Sequence, residues 1–208
     1  MDLAQFKTLP LMGILRGVKP DRLTPLLESV ISSRLKTVEI TMNTPAAPEL
    51  IRQAVNISKN RLTIGAGTVL TTDDLKRALD AGAGFIVLPT LVPEVVEHCA
   101  QNKIPVFPGA FTPQEIYTAW RAGASMVKVF PAKFFGPEYF KEIKGPFKDI
   151  ELLACGGVNP ENISSFFACG ASAVAFGASV FKPDWIEKRD FSNIEKCIKG
   201  LIAGKDKT

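Results

Sequence analysis

A period limits the fold of this chain more than any single residue does. Short apolar runs recur at residues 11–15, 37–41, 62–65, 85–88, 104–107, 125–130, 151–154 and 172–176, with amphipathic segments between them. Helix-start signals open those segments: Pro20-Asp21, Thr71-Thr72-Asp73-Asp74, Thr112-Pro113-Gln114-Glu115 and Asn159-Pro160-Glu161-Asn162. A polar cap, or a proline in the first turn, satisfies or removes backbone donors that a helix start leaves unpaired. Several segments then stop at glycine, at Gly82, Gly123 and Gly170, where the left-handed conformation closes a helix.

Eight strand-loop-helix-glycine units predict an α/β fold, a single compact (β/α)8 TIM barrel over residues 1–208 with a short N-terminal helix. The alternative is an open doubly wound sheet. It would want a glycine-rich turn after its first strand, and Arg16-Gly17-Val18-Lys19 is not one. The 208 residues, 46% hydrophobic, suit one core without a linker, and the polar tail after Leu201 is expected to be flexible.

One residue breaks the apolar pattern. In Met126-Val127-Lys128-Val129-Phe130-Pro131, alternation puts Lys128 on the face of Met126 and Phe130, and both faces of this strand read as buried. Such a lysine snorkels, pairs, or serves as a neutral amine, because desolvation lowers an amine's pKa and frees its nucleophilic lone pair. Strand two carries the complement. Thr37, Glu39 and Thr41 share one face and Val38 and Ile40 the other, so a carboxylate points into the expected barrel interior. Across a barrel mouth the two would tune each other for acid-base chemistry; equally, they could form a structural ion pair.

Chemistry in a barrel sits at the carboxyl ends of the strands. Strand one ends in Arg16. Strand three runs into Gly65-Ala66-Gly67-Thr68, where glycines let backbone approach a ligand. Strands seven and eight run into Gly156-Gly157-Val158 and Gly177-Ala178-Ser179, the places where small-residue loops commonly hold phosphate through backbone N–H groups. Glycine used only for strand-to-helix turns is the plainer reading of both.

Composition narrows the partners. The net charge of +4 is scattered, densest at Lys196, Lys199, Lys205 and Lys207, and forms no basic stripe with stacking aromatics. We therefore expect no nucleic-acid partner, while an anionic small-molecule substrate fits. No run is apolar enough to cross a bilayer, and Met1-Asp2-Leu3-Ala4-Gln5-Phe6-Lys7 lacks the order of a signal peptide, so a cytoplasmic location without membrane contact is expected. Cys99, Cys155, Cys169 and Cys197 lack C-x-x-C spacing, and His98 is the only histidine. No metal site, disulfide framework or cofactor is expected, and His98 reads as a half-exposed helix residue.

Taken in order, Ile14-Leu15-Arg16-Gly17, Val38-Glu39-Ile40-Thr41, Gly65-Ala66-Gly67-Thr68-Val69-Leu70, Pro108-Gly109, Lys128-Val129-Phe130-Pro131-Ala132 and Gly156-Gly157-Val158 resemble the bacterial KDPG/KHG aldolase family. The resemblance spans nearly the whole chain. It implies a class I aldolase on a small barrel, a homotrimer without metal or cofactor, cleaving 2-keto-3-deoxy-6-phospho sugar acids to pyruvate and glyceraldehyde 3-phosphate. It implies a Schiff base at Lys128 and acid-base catalysis by Glu39. Arg16, Thr68, Pro89, Asn43, Phe130 and Cys155 would contact substrate, and Gly156, Gly157, Gly177 and Ala178 would bind phosphate.

Departures bear on the substrate. Gluconate-type members usually carry an arginine where this chain has Asn43, and a threonine where it has Cys155; galactonate-type members look more like it. A serine common after the last strand's glycine is Ala178 here, leaving Ser179 or backbone N–H groups to replace it. Cleavage of 4-hydroxy-2-oxoglutarate is compatible with the resemblance. Two other readings stay open on the residues alone: a phosphate-binding barrel isomerase or synthase without a covalent lysine, and a non-catalytic sensor of sugar-acid phosphates.

Overall fold

A parallel strand covered on both sides has no solvent face, and β2 (Thr37–Thr41) meets that condition with all five residues buried. In the computed structural model, which describes residues 1–205, it neighbours β1 (Leu11–Leu15) and β3 (Thr63–Gly67). The remaining strands are β4 (Ile86–Val87), β5 (Val106–Phe107), β6 (Gly109–Ala110), β7 (Val127–Val129), β8 (Leu152–Cys155) and β9 (Ala173–Phe176). All pairings are parallel, in the order β5-β4-β3-β2-β1-β9-β8-β7-β6.

Nine segments make the eight strands expected. Between β5 and β6 lies only Pro108, which has no N–H to give the ladder, so one strand reads as two. Its first half pairs with β4 and its second with β7. Ser125 N donates to the Val106 carbonyl at 2.8 Å and Lys128 N to that of Pro108 at 2.9 Å, which joins the two edges and closes the ring.

Helices cover the outside: α1 (Leu3–Thr8), α2 (Pro20–Ser32), α3 (Ala47–Ser58), α4 (Thr72–Asp80), α5 (Pro93–Gln101), α6 (Pro113–Arg121), α7 (Glu138–Lys144), α8 (Ile163–Ala168), α9 (Pro183–Glu187) and α10 (Phe191–Lys205). Thr71 caps α4 by accepting from Asp74 N. Thr112 and Glu115 form a reciprocal capping box on α6, and its accepted backbone bonds from Phe111 and Thr112 hold the Glu115 carboxyl below the usual range. Gly82, Gly123 and Gly170 have φ of +93°, +102° and +95°, as helix stops require. Asn159-Pro160-Glu161-Asn162 precedes α8 as expected, and the helix runs over Ile163–Ala168. Asn159 Oδ1 accepts from Glu161 N and Asn162 N, which holds the turn before it.

Two cores result from the alternation. Outward residues such as Leu15, Val38, Ile40 and Ala66 pack against Leu26, Leu50 and Ile51 of the helices. Inward residues Met12, Phe85, Val87, Phe107, Met126, Leu153, Ala173 and Ala175 fill the barrel. Phe6 of α1 joins them, edge-on to Phe107 at 6.0 Å, and Phe107 meets Phe85 edge-on at the same distance. Each contact adds about 0.5–1.5 kcal/mol beyond its buried area. The short N-terminal helix thus plugs the amino-terminal end of the barrel and leaves the carboxyl end as the open mouth.

α10 continues past Leu201 through Lys205, with Gly204 buried where a Cβ would come 2.5 Å from Ile163 Cγ2. Residues 206–208 lie outside the described residues. His98 is exposed on α5 rather than half-exposed, and Gly65-Ala66-Gly67 belongs to β3 instead of the loop after it. Among the described residues, no helix is long and apolar enough to cross a membrane.

Candidate active site

Lys128 enters the barrel from the middle of β7 and is only 6% exposed. Its ammonium lies 5.1 Å from the centroid of the Phe130 ring, a cation–π contact, and within hydrogen-bonding reach of the Cys155 thiol on β8. Glu39 comes from β2 and is 1% exposed. Burial pushes its carboxyl above the usual range, and the charges of Lys128 and then Arg16 oppose that rise. Desolvation is the larger effect, so Glu39 sits where a proton is held more tightly than on an ordinary glutamate.

These two groups do not neutralise each other. Lys128 acts on Glu39 electrostatically, yet among the described residues neither belongs to an ion pair, and Glu39 Oε2 is buried without a hydrogen-bond partner among them. A buried carboxylate oxygen left unpaired costs about 1–3 kcal/mol or more. Among the described residues, the structural ion pair that the sequence left open is not formed. Arg16 is likewise free of an ion pair with Glu39 and is exposed at the end of β1.

The glycines of β3 meet a packing requirement that the sequence did not show. A Cβ on Gly65 would lie 2.4 Å from the Phe85 ring, and one on Gly67 would lie 2.5 Å from Glu39 Oε1. Gly65 therefore makes room for the barrel core, and Gly67 makes room for the carboxylate. Thr68 follows with φ of +55°, a conformation that costs a β-branched residue about 1–3 kcal/mol. It is half-buried and does not line the main cavity.

That cavity, of about 600 Å³, opens at the carboxyl ends of β7, β8, β9 and β1. Arg16, Phe130, Cys155, Gly156, Gly157, Gly177 and Ala178 all line it, as the strand-end reasoning expects. Lys128 and Glu39 lie deeper, Lys128 directly behind Phe130 and Cys155. Burial also raises the Cys155 pKa, so it presents a neutral thiol. Gly156 and Gly157 have φ of +96° and +84°. Asn162 Nδ2 donates to the Gly157 carbonyl at 2.9 Å, and Ser179 Oγ donates to that of Val158 at 2.6 Å. Those bonds engage loop carbonyls, and among the described residues no loop or turn hydrogen bond is donated by Gly157, Ala178 or Ser179 N–H. The loops therefore keep donors for an anion.

Two candidates lie elsewhere. Pro89 lines a second cavity of about 220 Å³ that shares Phe130 with the first. Asn43 is exposed on the turn after β2 and lines neither cavity. The turn itself is anchored: Thr44 Oγ1 lies 3.1 Å from Thr41 Oγ1 and accepts from Gly17 N at 2.9 Å, tying the loop that carries Arg16 to β2. The sequence reading missed Lys133 and Ile14 as cavity residues. Lys133, five residues beyond Lys128 on the loop after β7, has the strand-end position that would have found it.

Known proteins are similar to this chain in sequence and fold. A family model described as KDPG and KHG aldolase matches residues 3–197. The probable 2-dehydro-3-deoxy-6-phosphogalactonate aldolase of Rhizobium meliloti is 37% identical over 175 residues, covering 84% of this chain and 82% of that one. A solved structure titled native KDPGal superposes with a TM-score of 0.89 at 30% identity, covering 96% of this chain and 95% of the other. The KDPG aldolase of Legionella pneumophila, solved with pyruvate captured as a covalent carbinolamine, has a TM-score of 0.86 at 25% identity, covering 95% and 96%. A match that runs through every strand carrying the site leaves one assignment: the chain belongs to the KDPG and KHG aldolase family.

Proposed function

We propose that this protein is a class I aldolase that cleaves a 2-keto-3-deoxy-6-phospho sugar acid to pyruvate and glyceraldehyde 3-phosphate. The observation that carries the reading is the pair of buried groups, Lys128 and Glu39, neither in an ion pair among the described residues, with Lys128 against Phe130 of the cavity wall. The neutral amine of Lys128 attacks the C2 ketone, and loss of water gives an iminium that draws electrons from the C3–C4 bond. Glu39 takes the proton from the C4 hydroxyl as that bond breaks, and the aldehyde leaves. The enamine is then protonated at C3, and hydrolysis releases pyruvate and frees the lysine. Arg16 and the glycine loops meet the anionic ends. The carbinolamine captured in the Legionella enzyme supports the covalent step. Borohydride reduction in the presence of pyruvate tests it: a stable adduct mapped to Lys128 is expected, and an adduct on another lysine, or none, overturns it.

Cys155 bears on the C4 configuration, because it lines the cavity and touches Lys128, whereas Asn43 stands outside. A thiol replaces a hydroxyl able to hydrogen-bond the substrate, and a site lacking that partner discriminates weakly, by shape. A preference for the galactonate configuration, or promiscuity, is therefore expected, in keeping with the name of the Rhizobium relative. Cys155→Thr should shift the ratio of kcat/KM values toward gluconate. A wild-type preference for gluconate beyond about a hundredfold would refute the argument.

The same proposal includes a homotrimer. Phe111, Phe135 and Tyr139 form an aromatic stack, and Phe134 and Phe135 are 69% and 55% exposed, which suits a surface covered by another copy. Light scattering should give three times the chain mass of 22.6 kDa; a monomer mass would exclude it.

A further inference from the structure

We propose that Lys133 binds the phosphoryl group of the substrate and supplies the side-chain charge that the glycine loops lack. This rests on the reading above that the substrate is phosphorylated. Of the residues lining the main cavity, two are cations, Arg16 and Lys133, and none is a carboxylate. They stand on opposite sides of the anion loops. In barrel order, Lys133 follows β7, Gly156-Gly157 follows β8, Gly177-Ala178 follows β9 and Arg16 follows β1. A phosphate dianion held by the two loops would lie between the two charges.

Lys133 is also placed by contact. A Cβ on Gly157 would come 2.6 Å from Lys133 Cβ, so the stem of the lysine runs against the loop, and only glycine allows that approach. Its ammonium makes no ion pair among the described residues. It lies 5.2 Å from the centroid of the Phe134 ring, an exposed cation–π contact weak enough to exchange for an anion. The loops need such a partner. Ala178 has no hydroxyl, and the Ser179 hydroxyl is spent on the Val158 carbonyl. Lys133 follows from these contacts as a determinant of specificity for phosphorylated over unphosphorylated aldehydes.

The test runs the reaction in the direction of condensation, pyruvate with glyceraldehyde 3-phosphate or with glyceraldehyde, and in parallel measures inorganic phosphate binding to the folded protein by calorimetry. In Lys133→Ala, KM for the phosphorylated aldehyde should rise about tenfold with kcat little changed, the scale of one hydrogen bond to a charged group. The kcat/KM ratio between the two aldehydes should fall by the same factor, phosphate affinity should drop, and Lys133→Arg should restore both. An unchanged ratio, or an equal loss for both aldehydes, overturns the proposal. If wild-type protein condenses neither aldehyde, the aldolase reading fails, and phosphate binding still decides Lys133: an unchanged affinity in Lys133→Ala rejects it.

Discussion

Lys128→Met is expected to abolish both turnover and the borohydride-trapped pyruvate adduct. Methionine keeps the length and apolar stem of the lysine, so the inner layer of β7 stays filled between Met126 and Phe130. What disappears is the buried amine that the proposed mechanism uses to form the iminium. The fold should survive, since the substitution also removes an ammonium that is 6% exposed and has no ion-pair partner. Intact-mass analysis after reduction reads the adduct, and thermal melting reads the fold. Labelling that persists at wild-type level in a folded Lys128→Met protein would assign the Schiff base elsewhere.

Glu39→Gln should separate adduct formation from bond cleavage. The amide cannot take the C4 hydroxyl proton, so turnover should fall by about 10²–10⁴-fold, the usual contribution of a positioned acid-base group. The pyruvyl adduct on Lys128 should still form, though slowly. Near-normal turnover would return Glu39 to a structural role.

The same variant carries a stability signature with a definite sign. Burial raises the folded-state pKa of Glu39, outweighing the attraction of Lys128 and Arg16. Below the ordinary value of 4.5, folded and unfolded chains both hold the proton and the residue costs nothing. As the pH rises past that value, the unfolded chain ionises first and folding stability is lost. Removing the carboxylate should therefore stabilise the protein near neutrality by about 1 kcal/mol, a rise of ~2–4 °C in Tm for a chain of this size. The gain should vanish in melts performed below pH 4.5. A gain that is constant with pH would mean that packing, rather than charge, separates the two proteins.

Much of this was legible in the sequence because the information is local. Alternation in Thr37-Val38-Glu39-Ile40-Thr41 placed the carboxylate on the inner face, since side chains of a strand alternate regardless of what surrounds it. Thr112-Pro113 and the glycines at 82, 123 and 170 marked helix ends, because caps and left-handed stops satisfy backbone groups within a few residues. Asn159 bonds its own turn just before α8, the same local chemistry at work ahead of a helix start.

What the tertiary structure alone decided are meetings between distant strands. No spacing says that Gly67 yields its space to Glu39, that Gly65 yields to Phe85, or that Lys133 lies along Gly157. Those contacts exist because the ring closes, across the interruption at Pro108, and sets strands far apart in sequence side by side. Nor could the residues alone show that Lys128 and Glu39 stay unpaired, for that depends on distance across the barrel and on burial by side chains from many strands. By itself the sequence determined the strands, their faces and the inward placement of Lys128 and Glu39, because backbone alternation and capping act over a few residues. Closure of the barrel decided which groups share a cavity and which charges remain uncompensated, because desolvation and contact are properties of the assembled ring.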